Sequence, residues 1–228
     1  MTLPTFNNPK LLNTALTHRS ALNEPQASGT TSQESNERLE FLGDAVLELV
    51  VTRYLFEQYP NEPEGNLTAY RSALVRTETL AEVATELELG KKLYMSKGEE
   101  AGGGRENIGL LANTFEALVG ALYLDQGMEA VKKFVHLVLL PKFEQIKQKK
   151  LYKDAKSALQ ELVQARGFST PEYKLLEAVG PDHAKNFKVE VLINHKVFGK
   201  GEGNSKQAAQ QQAAQQALVK FEKDNGLV

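Results

Sequence analysis

Residues 36–50 read NERLEFLGDAVLELV, and the interpretation of the whole chain turns on them. Apolar residues recur at helical spacing, with Leu39, Leu42, Val46, Leu49 and Val50 on the side expected to face a core. Glu37, Glu40 and Asp44 stand at i, i+3 and i+7, so their carboxylates share one stripe. Like charges at that spacing repel, and a purely structural helix would interleave Lys or Arg four residues on. Only Arg38 is basic here, and it falls off the stripe. Gly43 costs the helix roughly 1 kcal/mol relative to Ala. It also bares the backbone beside Asp44, where a partner or ligand can come close. Unpaired acids beside bare backbone suggest a site for a hard cation; a solvated acidic face would carry the same residues.

The chain around this helix has 228 residues, room for one large or two modest domains, with 41% hydrophobic and 25% charged residues. It has no cysteine, which excludes disulfides, thiolate zinc sites and a cysteine nucleophile. The start, MTLPTFNNPK, lacks a basic segment followed by an apolar one, so no signal peptide is expected. The longest apolar run, 134–140, is interrupted by His136 and is too short to span a bilayer. A cytoplasmic location is expected. The net charge of −2 hides an asymmetry: residues 151–228 hold 11 basic and 9 acidic residues, and residues 1–150 hold 16 and 20. An acidic front half suits a polyanion only if cations bridge the two.

Residues 10–21 are expected to form one helix, 24–35 a mobile loop, and Ser35 or Asn36 to cap the acidic helix, which should stop before Pro60. After a turn at 61–65, helices are expected over 66–74 and 78–89, the second ended by Gly90, and a flexible glycine-rich loop over 97–105. Residues 108–124, IGLLANTFEALVGALYL, predict a nearly buried helix that nonetheless carries Asn113 and Glu116 at i and i+3. A buried carboxylate needs a cation or a proton. Two facing helices bearing such groups are how helical proteins build divalent-metal sites, although a capped or ion-paired Glu116 also fits. A helix from Met128 should break at Pro141.

Behind a boundary near residues 151–154 the period changes. A helix over 155–166 precedes strands at 172–179, 186–194 and 196–201, with Phe187, Val189, Val191 and Ile193 alternating inward and a tight turn at Asn194–His195. The Gln/Ala run from 204 to 224 predicts a helix packed through Ala209, Ala213 and Ala217, capped by Asn204 or Ser205.

NERLEFLGDAVL closely resembles the signature of the bacterial ribonuclease III family. LTHRS at 16–20, LTAYRSALV at 67–75 and ANTFEALVGALYLDQG at 112–127 resemble that family's further blocks, in its order. The rear α-β-β-β-α pattern resembles a double-stranded-RNA-binding domain. The resemblance implies an α+β multidomain chain: an all-α endonuclease domain over 1–150, with its core at about 5–127, then the RNA-binding domain over 154–224. It implies a homodimeric, Mg²⁺-dependent endoribonuclease that cuts double-stranded RNA to 5′-phosphate and 3′-hydroxyl ends and matures ribosomal RNA precursors and some structured mRNA and tRNA transcripts. Matched residue by residue, Asp44 and Glu116 are the indispensable pair, and Glu40, Asn113 and Glu37 complete the metal set. Phe41 matches an aromatic that enters a socket on the second subunit, and His18 is expected to be a packed residue. Gln160, Glu161, His183, Ser205 and Lys206 fall at RNA-contact positions.

Two positions depart from the family pattern. The metal-ligand Asp is Asn113, which keeps a carbonyl oxygen but loses a charge. In GxSKKxA the second Lys is Gln207. Asn113 leaves three readings open: an active enzyme with a raised Mg²⁺ requirement, an introduced change that slows cutting, or a non-cleaving RNA-binding relative acting in assembly or regulation.

Overall fold

The structure, a computed structural model, describes residues 2–24, 29, 32–148, 155–181 and 185–224. Two compact units emerge, Met1–Tyr152 and Lys153–Val228. The first is helical. Its elements are α1 (Pro9–Ala15), a 3₁₀ turn (Arg19–Asn23), α2 (Glu37–Gln58), α3 (Glu64–Val75), α4 (Thr77–Glu86), α5 (Leu89–Lys92), α6 (Lys97–Ala101), a second 3₁₀ turn (Gly104–Glu106), α7 (Ile108–Val138) and α8 (Lys142–Gln148).

The unit is built on α2 against α7, because glycines at their crossing let the two backbones touch. A Cβ on Gly43 would lie 1.8 Å from the Glu116 carbonyl oxygen, and one on Gly120 would lie 2.2 Å from that of Leu39. The close approach expected at Gly43 is made by the α7 backbone, so of the partner or ligand the sequence allowed it is a partner helix that fills the space. Leu47, Val51 and Leu55 of α2 join Phe115, Leu118 and Leu122 of α7 in one core with Leu74 and Leu80. By length and composition α7 could cross a membrane, but Phe115, Leu118 and Val119 are wholly buried inside the unit. It bends at Gly127, whose φ of 76° leaves the helical region.

Several local expectations change for identifiable reasons. The helix expected over 10–21 ends at Ala15. Leu16 caps the helix and Thr17 bridges to Tyr94: the Tyr94 N–H donates to Leu16 O at 2.8 Å and the His18 N–H to Tyr94 O at 2.9 Å. Leu49, expected inward, is exposed. Asn36 occupies the cap position of α2 but makes no side-chain cap bond. Gly90 does not end a helix. The chain reverses at Glu88 (φ 56°), and Gly90 lies within α5, pressed against the Arg105 carbonyl. The glycine-rich segment 97–105 is folded: Ser96 caps α6 through the Glu99 N–H (3.2 Å), and Arg105 donates to Gly90 O and Leu93 O. Much of the loop expected at 24–35, and the boundary at 151–154, lie outside the described residues.

The second unit runs α9 (Ala155–Gln164), β1 (Glu172–Val179), β2 (Asn186–Ile193), β3 (Lys196–Gly203) and α10 (Lys206–Asp224). The strands form an antiparallel sheet in the order β1-β2-β3, and Asn194 and His195, both at positive φ, make the two-residue turn. Val189, Val191 and Ile193 face the core, as their alternation predicted. Gly199 and Gly201 of β3 lie against the α10 backbone, and Ala209, Ala213 and Ala217 are wholly buried there. This proximity lets α10 side chains reach the free edge of β3. Gln212 Oε1 accepts from Glu202 N–H, Gln216 Oε1 accepts from Lys200 N–H (3.3 Å), and Lys220 Nζ donates to Val197 O (3.1 Å). The Gln run thus occupies edge groups that could otherwise pair with another strand.

Two outcomes follow from these contacts. Gly120→Ala should lower stability by about 3 kcal/mol, since backbone rather than a yielding side chain meets the new methyl group, as read from urea denaturation. The double change Gln212→Ala, Gln216→Ala should cost about 2 kcal/mol and produce concentration-dependent association beyond that of the parent chain in light scattering.

Candidate metal centre and nucleic-acid interface

The glycine crossing sets the acidic face of α2 beside the polar positions of α7. Glu40 and Asp44 flank Gly43 in sequence, and the Gly43 contact is to Glu116 itself. Asn107 caps α7 by accepting the Leu110 N–H at 3.1 Å, which anchors the turn that carries Asn113. The result is a cleft of about 530 Å³ whose lining includes Glu37, Glu40, Phe41, Asp44, Asn113 and Glu116. The nuclease-domain residues singled out in the sequence therefore share one cavity, although residues 44 and 113 are far apart along the chain.

The electrostatics of this cleft are unfavourable as they stand. Glu116 is pushed up to about 7, chiefly by burial and then by the charges of Asp44 and Glu40. Glu40 is also raised, by burial first and then by Glu37 and Asp44. Among the described residues Glu40, Asp44 and Glu116 form no ion pair, whereas exposed Glu37 faces Arg19 at 3.7 Å and accepts a bond from Ser35 Oγ at 2.8 Å. A cation among these oxygens would relieve both the burial and the repulsion, so the donor set fits a hard divalent ion. Among the described residues no three His, Asp or Glu side chains stand close enough to chelate one ion. The backbone gathers the carboxylates in one cleft without closing a cage.

The cleft also contains residues that sequence reasoning placed elsewhere or missed. His18, expected to be packed, lines the cavity, as do Arg19, Asn36 and Thr114. The available signal was the LTHRS block, whose His and Arg reach the acids only because 16–18 pairs with Tyr94. Phe41 is 83% exposed and so is not a core aromatic.

In the second unit Gln160 and Glu161 are exposed on α9, and Lys206 is exposed at the start of α10. Ser205 accepts the Ala208 N–H at 3.1 Å and is the cap of α10 in place of Asn204. Gln160, Gln207 and Gln211 line a depression of about 330 Å³ with Lys156, Ser157 and Tyr173. Lys156, which the sequence did not single out, donates to Gln210 at 2.8 Å and sits over the Tyr173 ring. His183 lies outside the described residues.

Comparison with known proteins agrees with these features. Residues 8–143 match a family model described as Ribonuclease-III-like, and residues 155–220 match the double-stranded RNA binding motif. Ribonuclease 3 of Streptococcus gordonii is 45% identical over 225 residues, covering 96% of this chain and 92% of that protein. Ribonuclease 3 of Pelotomaculum thermopropionicum is 49% identical over 210 residues, covering 92% and 86%. The solved nuclease domain of ribonuclease III from Campylobacter jejuni, whose flexible region is involved in dimer formation, is 39% identical, with a TM-score of 0.55 over 61% of this chain and 92% of that one. With the helical acid cleft in front and the α-β-β-β-α unit behind it, the chain belongs to the ribonuclease III family.

Proposed function

We propose that this chain is a Mg²⁺-dependent endoribonuclease that hydrolyses double-stranded RNA, with the cleft between α2 and α7 as its active site. The observation that carries the reading is the gathering of Glu40, Asp44 and Glu116 in one cleft with no ion-pair partner among the described residues. Hydrolysis adds water oxygen to phosphorus and breaks the bond to the 3′ oxygen, leaving a 5′-phosphate and a 3′-hydroxyl. Mg²⁺, when bound, supplies charge neutralisation at the phosphate and a more acidic water. Glu40, Asp44, Glu116 and the side-chain oxygen of Asn113 would hold the ion, and Glu37 borders the cleft beside Arg19. A cation held there would offset the burial and the repulsion from Asp44 and Glu40 that raise Glu116, and would favour its carboxylate form.

The double-stranded RNA binding domain holds the substrate by A-form shape, with Gln160, Glu161 and Lys206 on its exposed surface; His183, the further contact expected from the sequence, lies outside the described residues. Gln207 in place of a second Lys removes one phosphate contact and lowers the salt dependence of binding by about one counterion's worth. The substrates of this reading are ribosomal RNA precursors and structured mRNA and tRNA transcripts, and its compartment is the cytoplasm. A homodimer is supported by α2: Phe41, Leu49 and Phe56 are 83%, 56% and 71% exposed. At i, i+8 and i+15 they fall within about 80° of arc, an apolar stripe suited to a second copy.

Asn113 favours a second reading, a module that holds structured RNA without cutting it. The retained carboxylates favour cleavage, because three of four ligand positions keep their charge.

A Mg²⁺ titration of cleavage on a long, fully paired RNA tests the choice. The parent chain should cut, Asn113→Asp should cut at a lower Mg²⁺ concentration, and Glu116→Gln should lose at least about a hundredfold in rate. Binding by the parent without cutting at any Mg²⁺ level, with cutting restored in Asn113→Asp, would establish the binding module instead. Phe41→Ala should weaken the dimer by about thirtyfold or more in sedimentation equilibrium; an unchanged equilibrium would remove Phe41 from the interface.

A further inference from the structure

His18 sits at the turn between α1 and the first 3₁₀ segment, and its ring orientation is set by two hydrogen bonds. The Ser20 backbone N–H donates to His18 Nδ1 at 3.3 Å, and Ser20 Oγ lies 2.8 Å from the same nitrogen. Ser20 Oγ in turn accepts the Ser96 N–H at 3.0 Å, which directs its own proton toward the ring. A backbone N–H can only donate, so Nδ1 is an acceptor and the neutral ring carries its hydrogen on Nε2. Burial first, and Arg19 beside it, lower the His18 pKa against the raising effects of Glu99 and Glu37, which favours the neutral ring.

The Nδ1 edge is engaged by the 3₁₀ turn, which leaves Nε2 as the ring nitrogen that can serve the cleft His18 lines with Glu40, Asp44, Asn113 and Glu116. That cleft is rich in carboxylate acceptors, and its side-chain donors besides His18 are the amides of Asn36 and Asn113, Arg19 and Thr114. Thr114 spends its hydroxyl on Leu110 O at 2.6 Å, and Arg19 stands against Glu37. An RNA phosphate brings only acceptor oxygens. A neutral N–H among the acids offers it a directed donor without adding a fixed positive charge that would compete with a cation for the carboxylates.

We propose that His18 donates a hydrogen bond from Nε2 to a phosphate oxygen of the RNA strand in the nuclease cleft. The proposal rests on the endoribonuclease reading above. It assigns the two ring nitrogens separate work: Nδ1 caps the turn and Nε2 positions substrate.

The separation makes it testable, because Asn places its amide near the Nδ1 position and Gln places its amide near Nε2. In the full-length chain His18→Asn should keep the melting midpoint yet lower the single-turnover cleavage rate by about ten- to a hundredfold, the effect of one bond to a charged group. His18→Gln should retain most of the rate. A second readout needs no metal: the ¹⁵N imidazole spectrum of the parent chain should show the Nε2–H form of His18, and its signals should move when uncleaved double-stranded RNA is added in EDTA. Parental cleavage by His18→Asn, an equal loss in His18→Gln, an Nδ1–H spectrum, or ring signals indifferent to RNA would each overturn the proposal. A parent chain that binds RNA but never cuts would overturn the endoribonuclease reading, and the ring signals would then decide His18 separately.

Discussion

The first unit depends on one contact, the meeting of α2 and α7 at Gly43 and Gly120. Neither position tolerates a Cβ, because what approaches is backbone on both sides. The same contact has two consequences. It allows the apolar faces of the two longest helices to interlock into one core, and it brings Glu40 and Asp44 alongside Asn113 and Glu116 at the edge of that core. Stability and site geometry are therefore set by one packing decision. The acids lie close to the rigid crossing, and a site carried on rigid helices holds its geometry better than one carried on loops.

That placement has an electrostatic cost. Burial and like charge together raise Glu116 to about 7 and Glu40 above its ordinary value. A fold that wanted only stability would place a basic residue here, as it does at Lys142, which meets Glu82 and Glu86. Carboxylates with no ion-pair partner among the described residues, on the rim of a core, are what the proposed cation site rests on. The second unit uses the same device of close backbone approach for a different end. Gly199 and Gly201 admit α10 against the sheet, and the resulting proximity lets Gln212, Gln216 and Lys220 satisfy the edge of β3.

Legibility in the sequence followed the range of the forces involved. The β2 alternation, the α2 stop before Pro60 and the Ala spacing of α10 are local patterns, and each reappears in the structure. Local pattern failed where a distant segment intervened. Residues 10–21 carry a helical period, yet the helix ends at Ala15 and Thr17 bridges to Tyr94. The glycines of 97–105 suggest mobility, yet Ser96 and Arg105 bind that segment into short helices. Leu49 fits the inward set by period, yet it lies on the exposed α2 stripe with Phe41 and Phe56.

The sequence by itself determined the longer elements, the two-part organisation and the identity of the acids, because periodicity and side-chain chemistry are written within a few residues of one another. Only the tertiary structure decided what Gly43 is for, which acids share a cleft, and that His18 faces them. Those outcomes depend on which distant backbone comes within van der Waals reach. The α2–α7 crossing brings Gly43 to Glu116, and the pairing with Tyr94 holds the segment that carries His18.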